Sequence, residues 1–541
     1  MNREIRFLHL YIYTQSGIPP NYLTATTMGT FTYISAASVF LVVLVLSQSA
    51  TAQRGCAARS YEDGIVCVCN ASYCDQPGPV ELPPDGQFVV YTSSQAGQRF
   101  DKTIGTFVND YEGEAVRVTV DRSKTYQKIF GFGGAMTDAA ALNIASLSPD
   151  TQEHLLKSYY SPEGLQYNMV RVPMAGCDFS THTYSYDDLE NDVTLQHFNL
   201  SVEDYNFKIP YIKRAQELNP NRLLIFTAPW SAPRWMKTNN EFAGMGKLKT
   251  EFYELWAQYF IKFLQNYLAA GIEIWALSTQ NEPTDGLSPN FTFNAMGWTA
   301  DEQQDWLANN LGPALEASGF SHVRVLIMDD QRYNLPAWPN TVLGDPKARN
   351  YTSGIAVHWY VDFIPAFGTQ YLDEVHDSWP EVFLLYTEAC NGLQQLGEKP
   401  VALGSWERGE KYAHSIIETM NHWVTGWVDW NLALDLTGGP NWANNQVDSA
   451  VIVNATGDEF YKQPMFYTVG HFSKFVPEGS HRIDVAVETI EGTAFSTPEG
   501  ATVVVLHNSL SEEVTAVVAD PEHGEAVVVL PPKSLHTLVW K

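Results

Sequence analysis

Two glutamates mark where this chain can do chemistry. Glu282 ends the stretch Trp275-Ala276-Leu277-Ser278-Thr279-Gln280-Asn281-Glu282-Pro283, and Glu388 ends Tyr386-Thr387-Glu388. Each follows a strongly apolar run, where a carboxyl is costly to bury without a role. A facing pair of carboxyl groups is what glycoside cleavage requires. One protonates the leaving oxygen, and the other attacks the anomeric carbon or activates water. Pro283 disfavours right-handed helical backbone at Glu282, so an extended residue at a strand tip is expected there. Either glutamate alone reads equally well as a strand-end ion-pair partner. Two in this register read as chemistry.

The elements that position them repeat. Apolar runs at 130–134, 169–174, 223–227, 274–278, 323–328, 354–358, 382–386 and 427–432 alternate with amphipathic stretches. In one such stretch, 248–269, Phe252, Leu255, Trp256, Phe260, Phe263 and Leu264 keep helical spacing. Eight near-continuous apolar strands alternating with helices predict an α/β fold of the (β/α)8 barrel type, with a doubly wound sheet as the alternative. A barrel carries its site at the C-terminal ends of the strands. The residues closing the runs there are Arg171 with Cys177-Asp178-Phe179, Pro229-Trp230, Gln280-Asn281-Glu282, His358-Trp359-Tyr360, Thr387-Glu388 and Asp429-Trp430-Asn431. This mixture of carboxylates, amides, aromatics and one arginine suits a sugar, whose C–H faces stack on rings while its hydroxyls bond polar groups. Trp256 and Trp423 read as core.

The flanks differ in character. Residues 36–46 form an apolar run too short to span a bilayer, followed by Ala50-Thr51-Ala52; this predicts a signal peptide over 1–52, with Gln53 as the first mature residue. Cys56, Cys67, Cys69 and Cys74 crowd one segment. In an oxidising compartment they form a disulfide patch with three possible pairings, of which the sequential one, Cys56–Cys67 with Cys69–Cys74, closes two short loops. Cys177 and Cys390 are isolated and read as free. Alternating strand patterns at 86–127 and 482–541 predict an antiparallel sandwich built from both ends of the chain. The expected division is therefore 53–80 with 431–464 as a small Cys-rich antiparallel sheet, 81–127 with 480–541 as a β-sandwich, and 128–430 with 465–479 as the barrel. Sequons at Asn70, Asn199, Asn290, Asn350 and Asn454 fit a glycosylated secretory product. The formal charge of −28 repels phosphate backbones, which argues against nucleic-acid binding, and suits an acidic compartment.

The segments around Glu282 and Glu388 resemble those of the lysosomal acid β-glucosidase (glucosylceramidase) family. So do Gly131-Phe132-Gly133-Gly134-Ala135-Met136-Thr137-Asp138, Arg171-Val172-Pro173-Met174-Ala175-Gly176-Cys177-Asp178-Phe179, Gly438-Gly439-Pro440-Asn441-Trp442 and His471-Phe472-Ser473-Lys474-Phe475. The resemblance covers nearly all of the mature chain, the four early cysteines included. It implies retention, with Glu388 as nucleophile and Glu282 as acid/base, and hence a pKa for Glu282 raised by burial and by the charge of Glu388. It implies that Arg171, His358 and Tyr360 hold or tune the pair. Asp178, Trp230, Asn281, Trp430 and Asn445 would grip glucose, and Phe291 and Phe293 would line an aromatic entrance. It further implies a glycosphingolipid substrate at the lumenal membrane surface of the lysosome, peripheral membrane association, anionic lipids and a saposin-like activator protein. The chain departs from the family in its loop 391–402, which lacks aromatic residues, and at Ala295, where the family has a further cysteine.

Other classes find little support. There is no Gly-x-Ser-x-Gly elbow, no His-Glu-x-x-His helix and no phosphate loop, and neither a cofactor nor a metal is expected. The alternatives to glucosylceramide are steryl or soluble β-glucosides. A non-catalytic glycan-binding protein would most simply lack one of the two glutamates.

Overall fold

The computed structural model describes residues 54–541, and the expected signal peptide lies outside the described residues. Each of the eight apolar runs forms a strand of one closed parallel barrel: Gly131–Ala135, Met169–Met174, Leu224–Pro229, Ala276–Ser278, Arg324–Gln331, Thr352–His358, Phe383–Glu388 and Val424–Asn431. The last strand pairs with the first, Trp427 opposite Phe132. Met169, Leu224, Phe226, Trp275, Ala276, Leu326, Ala356, Leu385 and Val428 pack as one apolar cluster. Arg171 lies two residues beyond Met169 and so on the same face of its strand. The barrel interior is therefore apolar in one layer and charged in the layer above it, nearer the C-terminal rim.

The outer helices cover the barrel with their apolar stripes. Tyr253–Ala269 buries Trp256, Phe260, Phe263 and Leu264. It begins later than its periodicity suggests, because Thr250–Phe252 is a short 3-10 turn. Trp423, expected in the core, is half-buried; it stacks on His376 with ring centroids 3.7 Å apart.

Both chain ends join in one nine-stranded sheet. Gln87–Ser94 pairs antiparallel with Ser534–Trp540, and Val116–Lys128 pairs antiparallel with His481–Val487. Phe88, Val90, Val118, Val504, Leu538 and Trp540 share its core. The expectation of a wholly antiparallel sandwich fails at one place, where Val116–Lys128 runs parallel to Val514–Asp520. These two strands come from opposite ends of the chain, so no hairpin sets their relative direction.

The Cys-rich segment forms a third, five-stranded sheet from Ala58–Ser60, Ile65–Asn70, Glu459–Lys462, Val451–Asn454 and Leu434–Asp435. It too departs from a purely antiparallel pattern, because Leu434–Asp435 pairs parallel with Val451–Asn454. The disulfides are sequential, Cys56–Cys67 and Cys69–Cys74, with Cα separations of 5.1 and 4.4 Å. Cys177 and Cys390 are free and buried. Among the described residues no helix is long and apolar enough to cross a membrane.

Candidate active site

Arg171 is the hub of the upper layer. It is fully buried and donates to Glu388, to Asn281 Oδ1 at 2.7 Å and to Asp329 Oδ2 at 3.0 Å. Its guanidinium lies 5.0 Å from the Trp230 ring and 5.3 Å from the Trp430 ring, and these indoles stack on each other 5.2 Å apart. A cation held between paired carboxylates and aromatic faces keeps its charge although it is dry. Burial works against that charge, but Asp329 and then Glu388 outweigh it and raise the Arg171 pKa.

His358 ties Glu282 to Asp329, and through Asp329 to the Arg171–Glu388 pair. Its Nδ1 is 2.9 Å from Glu282 Oε1, and its Nε2 is 3.1 Å from Asp329 Oδ1. Burial disfavours a charged imidazole, yet the Glu388 charge and the bonds to Asp329 and Glu282 lift its pKa to about 10. His358 is thus an imidazolium that donates from both nitrogens. Gln331 Nε2 donates to the same Glu282 oxygen at 2.7 Å, and the Tyr360 hydroxyl donates to Glu388 Oε1 at 2.7 Å. Thr387 donates to Asp329 Oδ1 at 2.6 Å.

Backbone strain turns these side chains inward. Glu282 has φ of +40°, not the extended conformation that Pro283 led us to expect. Proline excludes the right-handed region, and the left-handed one is held instead by Glu282 N–H donating to Asp329 O at 2.9 Å and Asp285 N–H donating to Glu282 O at 3.0 Å. Met328 and Asp329 also lie at positive φ, +70° and +57°, where the fifth strand breaks register with the sixth. That kink aims Asp329 at Arg171. Asp330, next in line, accepts from Thr284 N–H at 3.1 Å and Thr284 Oγ1 at 2.7 Å, which anchors the loop after Glu282.

This network reverses one expectation. Burial raises Glu282, but the bonded His358 imidazolium and then Asp285 more than cancel it, so the carboxyl sits below its ordinary range. Asp285 takes the opposite shift, pushed up to about 11 by burial and then by the Glu282 charge. Burial also raises Glu388, against the charges of His358 and Arg171. Both Glu388 oxygens nevertheless accept from donors, Arg171 and Tyr360, an arrangement that serves its ionised form.

A cavity of about 300 Å³ opens above the pair. Asp178, Trp230, Glu282, Phe291, Phe293, Tyr360, Glu388, Trp430 and Asn445 line it, as the sequence led us to expect. Arg171, His358 and Asn281 do not line it and stand behind it. Asn445 Nδ2 donates to Asp178 Oδ2 at 3.0 Å, and Asn441 Nδ2 adds a bond of 3.3 Å to the same oxygen. Burial raises the Asp178 carboxyl to about 7 despite the Asn445 bond. Asn441, Asp285, Asp329, Asp330 and Gln331 escaped the sequence reading. Asp329-Asp330-Gln331 follows the fifth apolar run directly, so the rule that found the other rim residues also reaches it. Asp285 lies in a loop and carries no such signal.

One oxygen each of Glu282 and Glu388 and one nitrogen of His358 lie within 4.8 Å of one another. A cation fits that spacing by distance. These groups are already engaged with protein partners: Glu388 accepts from Arg171 and Tyr360, and both His358 nitrogens bond carboxylates. The same cluster suits proton transfer to a leaving group with attack from a second carboxylate.

Comparison with known proteins agrees with this geometry. The model of the glycosyl hydrolase family 30 TIM-barrel domain matches residues 129–476, and that of the family 30 beta sandwich domain matches 479–538. The chain belongs to glycosyl hydrolase family 30. This family 30 chain is an enzyme, a glycoside hydrolase. It is 47% identical to the lysosomal acid glucosylceramidase of Mus musculus over 485 residues, which is 88% of this chain and 93% of that one. Among solved structures, SrfJ from Salmonella typhimurium superposes with a TM-score of 0.78 at 28% identity, over 84% of this chain and 99% of SrfJ. An endo-β1,6-glucanase superposes with a TM-score of 0.74 at 25% identity and the same coverage.

Proposed function

We propose that this family 30 hydrolase cleaves glucosylceramide to glucose and ceramide by double displacement with retention. Glu388 attacks the anomeric carbon while Glu282 protonates the ceramide oxygen. Water, deprotonated by Glu282, then releases glucose from Glu388. The observation that carries this reading is the approach of the two carboxyls to within 4.8 Å at their nearest oxygens. Retaining enzymes hold the carboxyls about 5–5.5 Å apart, whereas inverting ones need roughly 6.5–9.5 Å to seat a water. Arg171, His358 and Tyr360 orient the pair. Asp178, Trp230, Trp430 and Asn445 hold glucose in the cavity, and Asn281 acts through Arg171.

The 47% identity to the mouse lysosomal acid glucosylceramidase supports the lipid substrate. So does a second, mainly apolar cavity of about 400 Å³ lined by Trp359, Phe363, Leu393 and Leu396, which shares Tyr360 and Cys390 with the first. It offers the aglycone an apolar exit from the sugar cavity. Phe363 and Leu396, 66% and 56% exposed, suit contact with a membrane surface. In this reading the protein works in the lysosome on anionic lipid, helped by a saposin-like activator protein, and the chain divides into Cys-rich sheet, sandwich and barrel. The sequons Asn199, Asn290 and Asn350 are exposed and Asn70 is half-buried, and all four are proposed to carry glycans. The Asn454 amide is taken up by Glu459 and Tyr461. Turnover of glucosylceramide in anionic liposomes, beside a soluble aryl β-glucoside, tests the substrate. Lipid turnover is expected; aryl glucoside turnover alone would move the substrate to soluble or steryl glucosides.

A further inference from the structure

We propose that Asp285 is the proton partner of Glu282, a second carboxyl that supplies the proton Glu282 delivers and takes back the one it removes from water. The proposal rests on the reading of Glu282 as acid/base. Asp285 opens the 3-10 turn Asp285–Leu287, and its N–H bond to Glu282 O folds the turn back on the glutamate. The two side chains are hydrogen-bonded to each other and both line the catalytic cavity. Two carboxylates offer acceptors alone, so a bond between them requires one proton in the pair.

The surroundings decide where that proton rests. Glu282 Oε1 already accepts from His358 and Gln331, with Arg171 and Asp329 behind them and Asp178 across the cavity. These donors favour ionised Glu282. Asp285 instead faces acids, Asp330 and Glu388 beyond Glu282, with the Tyr333 ring alongside. Among the described residues no amide or cation donates to its carboxyl. Its only stable role beside Glu282 is to hold the proton, which agrees with its upward shift.

The steps balance. In the first displacement the single proton of the pair passes from Asp285 to Glu282, and Glu282 then delivers that proton to the glycosidic oxygen. The C1–O bond breaks, the Glu388–C1 bond forms, and Asp285 and Glu282 are both left ionised around a neutral leaving alcohol. In the second, the water oxygen bonds to C1 as Glu282 takes its proton, Glu388 leaves C1 as a carboxylate, and the proton passes back from Glu282 to Asp285. Asp285 acts through Glu282 and is a positioning and proton-holding residue.

The test compares wild type with Asp285→Asn and Asp285→Ala on two aryl β-glucosides, phenyl and 2,4-dinitrophenyl. The first leaving group needs a proton and the second does not. For the phenyl glucoside kcat/KM should fall at least tenfold in both variants, and its alkaline limb should move to lower pH, because Glu282 alone is easily ionised. For the dinitrophenyl glucoside kcat/KM should change less than threefold, which also shows that the variants are folded. Equal losses on both substrates, or superposed pH profiles, would overturn the proposal. A wild type that turns over neither glucoside would instead overturn the functional reading beneath it.

Discussion

Arg171→Gln tests the charged layer. Arg171 faces Asp329, fully buried, and Glu388, 7% exposed, so its removal strands two carboxylates in a dry site. Removing one partner of a buried pair costs about 3–5 kcal/mol. Asp329 keeps His358 at 3.1 Å and Thr387 at 2.6 Å, so the uncompensated charge is chiefly that of Glu388. That places the loss at the lower end, about 3 kcal/mol. The barrel match spans 129–476. With an unfolding entropy of about 2.1 cal/mol/K per residue, a unit of that size should melt roughly 4 °C lower. Scanning calorimetry at mildly acid pH measures it. Adding Asp329→Asn should restore part of the loss, with a coupling of about 1–3 kcal/mol in the double-mutant cycle. Arg171 also favours ionised Glu388, so the acid limb of kcat/KM should move to higher pH. A melting point within 1 °C of wild type, additive substitutions and an unmoved acid limb would together refute the reasoning.

The barrel helix Trp406–Asn421 is joined to the sandwich by His414 and His507, which lie 2.5 and 2.7 Å from Glu491, with Glu410 and Lys533 alongside. The Glu491 bond raises His414; burial opposes but Glu410 and Glu491 raise His507; and Glu491, raised by burial, is drawn down to about 2 by the histidines. The histidines stabilise the fold fully below about 6.5, losing this as pH rises through their raised values, while Glu491 contributes above about 4.5 and loses it as pH falls towards 2. Glu491→Gln should therefore lower the thermal midpoint more at pH 5.5 than at pH 8, and an equal drop at both would exclude the clamp. Asp178→Ala should reduce kcat/KM by about 5–100-fold, because a sugar hydroxyl enclosed in the cavity loses its hydrogen-bond partner, with the melting curve as control. Replacing Cys56 and Cys67 together by serine opens a loop of sequence separation 11 and should cost about 3 kcal/mol, leaving activity per folded molecule unchanged.

Much of this architecture is legible in the sequence because burial writes itself into composition. Strands covered on both faces are apolar runs, so all eight barrel strands show, and the polar residue closing each run falls on the rim. Positions that depend on backbone strain or on loops leave no such mark in the sequence. The left-handed Glu282 follows from two backbone hydrogen bonds, one to Asp329, 47 residues away, and one that closes a local turn with Asp285, and Pro283 alone points elsewhere. The pKa of Glu282 was expected to rise and instead falls, because the bonded His358, and then Asp285 brought in by that same turn, outweigh burial. The parallel pairings of Val116–Lys128 and Leu434–Asp435 are invisible because strand alternation carries no direction. Trp423 is large and aromatic, but it sits at a positive φ of +70° in the turn before its strand, where it packs at the edge of the core and stacks on His376.

The central claim is that Glu388 forms a covalent bond to the sugar. Incubation with a 2-deoxy-2-fluoro-β-glucosyl fluoride, followed by peptide mapping, tests it directly. One glycosyl group per folded molecule is expected, attached to Glu388 and absent in Glu388→Gln. Attachment to Glu282 or to any other residue, or inversion of the anomeric product seen by NMR, would contradict it.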